Sequence, residues 1–335
     1  MEKNETIKKI DTNTFAIRPF DYTDTDYAAV VKIINQIFPN DPITLEIYKH
    51  NDSNRKPNYL KERFVGEIEI DQSKQIVATG FCFGSGGQNK SGKYHIELWI
   101  DQEFKDQGLH EPLYEYLVAF LADKKPTKLS TLIREDIPKQ IEFLRQNGYQ
   151  QTMREPRSEI DVASFDFAPF AGYPKKVATA GIEIIPVKEL QPHDANWMQK
   201  LYELENAIQK DVPRPDNDEF TPATLEEYAK KFKRPNIRTD AWFVAVDGAH
   251  YVGISSLWPN PVLKEILLVG ITGVLPSHRR RGIATALKLK TIEFAQANGG
   301  KIIETDNEEN NPMYDLNMQL GFKPKPGLLH FEKVL

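Results

Sequence analysis

The apolar positions of this chain follow two spacings, one typical of strands and the other of helices. In the first half, short apolar or alternating runs predict strands at FAIRPF, RFVGEIEI, QIVATGFCFG, YHIELWID and KLSTLI. The corresponding runs of the second half are IEIIPV, AWFVAVDG, YVGISSLW, EILLVGITGV and KIIETD. Helical spacing lies between them, as in YAAVVKIINQIF, EPLYEYLVAFLAD and ANWMQKLYELENAIQ. This alternation predicts an α/β fold class, an α+β mixed sheet with helices on its faces.

The two halves also resemble each other in the order of their elements. Each half contains an apolar strand that ends at a proline, a glycine turn that leads into a helix, and a helix that ends at a glycine–aromatic pair. The turn glycines Gly108 and Gly282 are 174 positions apart, and Gly148 and Gly321 are 173 apart. Three matches in one order at nearly one spacing indicate a duplicated domain. We predict a first domain over 1–165 and a second over 166–335, which begins with a linker rich in proline, glycine and alanine.

Composition and charge narrow the function classes. The 335 residues carry a formal net charge of −5 and one cysteine, Cys82. This balance gives no positive field for nucleic acid or an anionic membrane, and one cysteine cannot form a disulfide or a cysteine-based metal cluster within the chain. The N-terminus lacks the apolar core of a secretory signal, and no apolar run reaches about 18 residues. We therefore expect a cytoplasmic protein without nucleic-acid, membrane or metal partners.

The segment GVLPSHRRRGIATALK, residues 273–288, carries the clearest chemistry. Pro276 ends a strand, Gly282 permits a tight turn, and a helix follows. The first turn of a helix presents N–H groups without intrahelical partners, and the helix dipole adds positive charge there. Three arginines precede the glycine. The sequence therefore predicts an anion site that suits phosphate. It contains neither GxxxxGK[ST] nor GxGxxG, which excludes a P-loop or a dinucleotide-binding turn.

The turn resembles motif A of the GNAT superfamily of N-acetyltransferases, whose pattern is [Q/R]-x-x-G-x-[G/A]. Residues 279–284 read RRRGIA, and the strand before them ends in TGV. The downstream signature is also present, because Asn310 and Met313 fill N-x-x-[A/M] and Gly321 precedes an aromatic residue. The resemblance covers residues 266–322 at the level of motifs. It implies two tandem GNAT (acyl-CoA N-acyltransferase) domains, of which the second carries the cofactor motif.

The resemblance also implies a donor and its contacts. In the family, the backbone amides of motif A hold the pyrophosphate of acetyl-CoA, and the edge of the preceding strand pairs with the pantetheine arm. Acetyl-CoA is therefore the implied acyl-donor substrate, with no metal. The implied acetyl-CoA-binding residues are Thr272, Val274, Arg279, Arg280, Arg281, Gly282, Ile283, Ala284, Thr285 and Asn310. Lys288 and Lys290 are further candidates to reach the nucleotide phosphates from the helix.

The catalytic groups are less clearly marked. Many family members carry a tyrosine four residues before the closing glycine, as the general acid for the leaving thiolate, but this chain has Asn317 there. Tyr314 lies one helical turn earlier and is either a substitute acid or a packing residue. Glu304 and Asp306, at the end of a strand, are candidate general bases for an amine, with a water chain as the alternative.

The first half departs from the same pattern at four positions. His110 stands where a small residue is expected, and Asp106 would repel a pyrophosphate. Ile137 and Leu144 occupy the positions of the asparagine and the tyrosine. We predict a degenerate GNAT-like domain that no longer binds acetyl-CoA and that shapes the acceptor site; weak residual binding is the alternative.

The acceptor is not defined by the sequence. The segment between the second domain's first helices is acidic, which suits a cationic amine but also describes an ordinary solvated loop; its acids are Asp211, Asp216, Asp218 and Glu219. We predict an N-acetyltransferase, active as a monomer or homodimer, that moves an acetyl group to a primary amine by direct transfer. A non-catalytic acyl-CoA-binding sensor and an aminoacyl-tRNA-dependent transferase are the alternatives.

Overall fold

The structure, a computed structural model, describes residues 14–39, 41–53, 60–84, 92–214, 220–234 and 237–335. The strands are β1 (Ala16–Pro19), β2 (Lys61–Ile70), β3 (Ser73–Gly84), β4 (Lys93–Ile100), β5 (Lys128–Arg134), β6 (Gln150–Asp161), β7 (Ile182–Pro186), β8 (Trp242–Asp247), β9 (His250–Pro259), β10 (Ile266–Val274), β11 (Ile302–Asp306) and β12 (Lys323–Val334). The helices are α1 (Asp24–Ile37), α2 (Leu45–Ser53), α3 (His110–Ala122), α4 (Pro138–Gln146), α5 (Gly172–Thr179), α6 (Val187–His193), α7 (Trp197–Gln209), α8 (Leu225–Lys230), α9 (Ile283–Ala297) and α10 (Pro312–Gln319).

Two units divide the chain. Unit 1 comprises residues 1–133, 137–152 and 330–335, and unit 2 comprises residues 134–136 and 153–329. The two-domain, mixed α/β architecture predicted from the sequence is confirmed.

In unit 1, the strands lie in the order β1-β2-β3-β4-β5. The first four pair antiparallel, and β4 pairs parallel with β5. Helix α1 buries Tyr27, Val30, Ile33 and Ile37, which recur at helical spacing and pack into the core with Trp99. The N-cap Thr23 side chain accepts a hydrogen bond from the amide of Asp26 and fixes where this helix begins.

In unit 2, the order β7-β8-β9-β10-β11 repeats that arrangement, again with four antiparallel strands and then one parallel pair. Helix α7 contributes Leu201, Leu204 and Ile208 to the main core. Helices α5 and α9 supply Val177 and Leu287 to a second cluster with residues of β8, β9 and β10. The repeated topology is the structural counterpart of the glycine spacing in the sequence.

The division of the chain differs from the predicted boundary at residue 165. Strand β6 pairs antiparallel with β11 from Arg157 to Asp161, so residues 153–161 belong to unit 2 although they end the first repeat. Residues 153–161 are assigned to unit 2 because they pair with a strand that is almost 150 residues away in the sequence. The local sequence pattern does not predict this pairing. The predicted linker also contains a helix, because α5 covers Gly172–Thr179.

Candidate functional site

The turn before α9 has the backbone geometry that an anion site needs. A short 3-10 turn, Pro276–His278, follows β10, and Arg280 then takes a positive φ of 62°. Gly282 is the N-cap of α9 with φ 85°, a conformation that favours glycine. The amide of Ala286 donates to the carbonyl of Gly282 at 3.0 Å and closes the first turn of the helix. The amides before it therefore have no intrahelical acceptor and face outward at the positive end of the helix dipole.

The three arginines of the turn differ in what they contact. Arg279 donates from Nε to the carbonyl oxygen of Val274 at 3.0 Å, and its Nη2 pairs with Asp211. Arg280 and Arg281 are exposed at the side of the turn. Arg279 thus ties the turn to the end of β10, whereas its two neighbours are placed to meet an anion. Asp216, Asp218 and Glu219, the other acids of the predicted acceptor loop, lie outside the described residues.

An aromatic ring covers the N-cap of α9. A Cβ added to Gly282 would lie 2.8 Å from Cδ1 of Tyr173, on α5, although the tyrosine ring remains 38% exposed. Gly282 is therefore required both by its positive φ and by this close approach. Thr285 and Ile283, in the same first turn, are buried at 8% and 2% exposure, so any contact they make with a phosphate uses the backbone.

Strands β10 and β11 diverge beside this turn. They pair only from Ile266 to Leu268 with Ile302 to Glu304, and beyond that point the edge of β10 has no pairing with β11. A register shift between Val269 and Thr272 bends β10 at the same place. Leu275 donates its amide to Val252 on β9, so the amide of Val274 faces the opposite, open edge. The carboxyl ends of two neighbouring parallel strands thus border a crevice, where α/β folds commonly bind ligands.

A cavity of about 210 Å³ occupies this crevice. Its lining combines apolar side chains and backbone of β10 with polar side chains that follow β11. The lining residues are Glu155, Gln209, Val212, Pro213, Val269, Gly270, Ile271, Thr272, Lys288, Thr305, Asp306, Asn307, Glu308, Asn311 and Met313. Thr272 is held in place by its hydroxyl, which lies 2.8 Å from that of Ser255.

Lys288 is the one cationic side chain among the described residues that line the cavity. It is 2% exposed, and burial lowers the pKa of its ammonium group to about 7. Its Nζ lies 5.3 Å from the ring centre of Phe322. The sequence suggested that Lys288 and Lys290 reach phosphates from the helix surface. The structure instead places Lys288 in the cavity wall, and Lys290 pairs with Glu293 at 2.8 Å.

The two candidate bases lie in different environments. Glu304 is 3% exposed and accepts from Lys325 at 2.5 Å and from Arg157 at 3.3 Å. It is not among the residues that line the cavity, and its two cations make it a buried structural anion. Asp306 is exposed and lines the cavity mouth. Of the two carboxylates, only Asp306 lines the cavity.

The family's asparagine and tyrosine positions also differ from expectation. Asn310 is exposed and donates to Glu308 at 2.7 Å, whereas its neighbour Asn311 lines the cavity and caps α10 by accepting from the amide of Met313. Tyr314 does not line the cavity in the described part of the chain, and it interacts electrostatically with Arg154. Asn317 is fully buried and donates to Asn307 at 2.7 Å. The motif N-x-x-[A/M] selects Asn310, which lies three residues before Met313, so the sequence did not single out Asn311.

The equivalent turn of unit 1 has different surroundings. Gly108 keeps a positive φ of 74°, and a Cβ added there would meet nothing within 4 Å. His110 packs against Phe143 with 6.0 Å between ring centres, and burial lowers the pKa of its imidazole. Asp106 pairs with Lys139 at 2.6 Å. In unit 1, the His110 ring therefore stands at the position of Ala284 in unit 2, and the paired Asp106 carboxylate stands at the position of Arg280.

Among the described residues, no three histidine, cysteine, aspartate or glutamate side chains are grouped as a metal ion would require. No helix in the same part of the chain has the length and apolar character needed to span a membrane.

Known proteins share the fold of this chain, and one part of the chain matches a protein-family model. The sequence profile of the acetyltransferase (GNAT) family matches residues 199–322. A GCN5-related N-acetyltransferase from Sphaerobacter thermophilus superposes with a TM-score of 0.68 at 16% identity, over 96% of both chains. A tandem GNAT protein from the clavulanic acid biosynthesis pathway gives 0.69 at 16% identity, over 96% of this chain and 98% of that one. A glucosamine N-acetyltransferase region of a fungal multi-domain GH3 β-N-acetylglucosaminidase gives 0.68 at 14%, over 95% of this chain and 38% of that one. Curated protein sequences yield no match.

Proposed function

We propose that unit 2 transfers an acetyl group from acetyl-CoA to a primary amine, because residues 199–322 match the sequence profile of the GNAT family of acetyltransferases. The main support for this proposal is that two structural features border the same crevice. The open edge of β10 lies beside the unpaired amides at the start of α9. These two features fit a long donor molecule that has an anionic group at one end and an extended arm. The turn can bind the anionic group, and the strand edge can form hydrogen bonds with the amides of the arm.

Each part of the site has a proposed role in binding the donor. The amides of residues 282–285 and the side chains of Arg280 and Arg281 hold the pyrophosphate. Arg279 positions the turn through Val274 and Asp211. The edge of β10 near Thr272 pairs with the pantetheine arm and brings the thioester into the cavity.

The transfer itself is proposed as a direct attack. The amine nitrogen bonds to the thioester carbonyl carbon, and an amide on the open edge of β10 where it lines the cavity stabilises the developing oxyanion. The carbon–sulfur bond breaks, the amine gives up a proton to Asp306, directly or through water, and the thiolate takes up a proton from water. Asp306 is preferred over Glu304 for this role because it lines the cavity.

Unit 1 is proposed to lack acetyl-CoA binding. The half-buried His110 ring and the Asp106–Lys139 pair leave no small-residue turn with free positive charge. A non-catalytic sensor and an aminoacyl-tRNA-dependent transferase remain as outcomes of the test.

The test has a binding arm and a turnover arm. Acetyl-CoA at 100 times its Kd should stabilise the protein by about 2.7 kcal/mol, measured as a rise in Tm. Release of free thiol from acetyl-CoA is then followed across a library of primary amines. Thermal stabilisation with thiol release supports the proposal. Stabilisation without release for any amine favours the sensor, tight salt-sensitive retention of tRNA favours the third class, and no stabilisation overturns the proposal.

A further inference from the structure

We propose that the cavity between β10 and β11 binds a carboxylate of the substrate, and that Lys288 is the residue that recognises it. This inference rests on the proposed acyl transfer, because the cavity is the place where donor and acceptor meet. It goes beyond that function by naming the chemical class of the substrate.

Lys288 has no counter-charge among the described residues. Its Nζ makes no hydrogen bond and no ion pair in that part of the chain, although the residue is only 2% exposed and lines the cavity. An ammonium group removed from water without an anion is costly, so buried lysines are normally paired. The Phe322 ring offers at most a cation–π contact at 5.3 Å. A buried, unpaired lysine that opens into a cavity is therefore an incomplete ion pair.

The acids of the cavity mouth do not complete that pair. Glu155, Asp306 and Glu308 line the same cavity, yet burial alone accounts for the lowered pKa of Lys288, with no opposing contribution from a carboxylate. Asp306 is exposed and Glu308 is occupied by Asn310. A carboxylate brought by a ligand would lie closer to Nζ than these groups and would restore the charged form of the lysine.

The chemistry of the cavity favours a carboxylate over other anions. The ammonium form of lysine only donates hydrogen bonds, so a partner that stabilises this form must be an acceptor. The phosphates of the donor are already matched by the turn before α9, outside this cavity. The volume of about 210 Å³ suits a small organic group rather than a nucleotide. Acids at the mouth and an ammonium group in the wall together match a molecule that carries an amine and a carboxylate, as an amino acid does.

The carboxylate can come from either partner of the reaction. An acceptor of the amino-acid type would place its carboxylate on Lys288 and its amine toward Asp306. A dicarboxylic acyl-CoA, such as succinyl-CoA, would place the free carboxylate of its acyl chain there. In both cases the amine–carbonyl bond forms and the carbon–sulfur bond breaks as described above, and Lys288 takes no part in proton transfer.

The experiment compares Lys288→Met with Lys290→Met. Methionine keeps the length and apolar stem of the lysine without its charge, and Lys290 lies on the same helix but pairs with Glu293 at the surface. In the acceptor arm, acetyl-CoA is the donor. Each natural amino acid is compared with the corresponding amine that lacks the carboxylate. In the donor arm, succinyl-CoA is compared with acetyl-CoA. The readout is kcat/KM from thiol release, together with the thermal shift that each compound produces.

The expected result is a preference of about tenfold or more for the carboxylate-bearing member in one arm. That ratio should fall to about one in Lys288→Met and should stay at the wild-type value in Lys290→Met. The arm that shows the effect identifies the source of the carboxylate. Equal use of both members in both arms, or a preference that survives Lys288→Met, overturns the inference. If wild-type protein shows no thermal shift with acetyl-CoA, the proposed function itself fails, and that readout is independent of Lys288.

Discussion

Arg279 and Val274 join the proposed phosphate turn to the strand that precedes it. Nε of Arg279 donates to the carbonyl oxygen of Val274 at 3.0 Å, and the same guanidinium pairs with Asp211. The first arginine of the motif thus stabilises the shape of the turn. The two features on which the proposed donor site depends, the open strand edge and the helix N-terminus, are held in register by this one side chain.

Replacing Arg279 should therefore weaken donor binding through the turn. A charged hydrogen bond to a backbone carbonyl contributes about 1.5–3 kcal/mol, so we expect Arg279→Ala to raise the Kd for acetyl-CoA roughly tenfold to a hundredfold. Asp211→Asn removes only the exposed ion pair and should change the Kd by less than about fivefold. Isothermal titration calorimetry measures both. Equal losses in the two variants would contradict the assignment of the main role to the Val274 contact.

The two turn glycines can be compared by substitution. Both have positive φ, 85° at Gly282 and 74° at Gly108, so a side chain at either costs a backbone strain of about 1 kcal/mol, and only at Gly282 would the new Cβ also lie 2.8 Å from Tyr173. Gly282→Glu also places a carboxylate in the proposed pyrophosphate site, and we expect it to abolish the thermal shift with acetyl-CoA. Gly108→Glu should keep the shift. The reverse outcome would show that unit 1 is the donor-binding unit.

Substitution of Glu304 should mainly lower the stability of the protein, whereas substitution of Asp306 should mainly lower its activity. Glu304→Gln removes a buried anion that pairs with Lys325 and Arg157, which should lower the free energy of unfolding by about 3 kcal/mol. Asp306→Asn, at an exposed position, should leave stability nearly unchanged and lower kcat by about tenfold to a hundredfold. Urea denaturation and thiol release distinguish the two effects. A catalytic loss in folded Glu304→Gln with full activity in Asp306→Asn would reverse the assignment of the base.

Tyr314 should contribute little to the chemistry. It lies beside Arg154 rather than in the cavity lining, so we expect Tyr314→Phe to keep kcat within about threefold. The pH dependence of kcat should also be unchanged on its basic limb. A loss of about a hundredfold or more, as is typical when a general acid is removed, would instead support the role that the family resemblance suggested for the tyrosine.

Lys288 should make stability depend on pH in the alkaline range. Its pKa is about 7 in the folded protein and about 10.4 when unfolded. Between these values the unfolded chain binds more protons, so stability rises with pH by up to about 1.4 kcal/mol per unit, whereas below pH 7 the full cost is present. Without substrate, Lys288→Met should therefore be more stable than the wild type by a margin that is largest at pH 7 and below and shrinks toward pH 10.

This margin is read from urea midpoints across the pH range, with Lys290→Met as the control that should show no such trend. Glu155, Asp306 and Glu308 line the same cavity and are present in all three proteins compared. A margin that stays constant with pH would mean that Lys288 keeps an ordinary pKa.

Local sequence determined much of this protein. The apolar runs defined most strands, and the glycine spacing revealed the duplication. The order proline, arginine, glycine, helix identified the turn before α9, because a positive φ and an unpaired helix N-terminus are consequences of a few adjacent residues. The same local pattern predicted that unit 1 differs, since His110 and Asp106 stand next to its glycine.

Only the tertiary structure decided what depends on residues far apart in the chain. The pairing of β6 with β11 moved the domain boundary, and the divergence of β10 from β11 created the cavity. The helical pattern alone did not show that Lys288 faces inward, because it lies between Leu287 and Leu289 on a helix that is buried around most of its circumference. Likewise, Asp306 is preferred over Glu304 as the proposed general base because Lys325 and Arg157 pair with Glu304. Charge and burial at this site are set by which distant elements meet, and local periodicity does not contain that information.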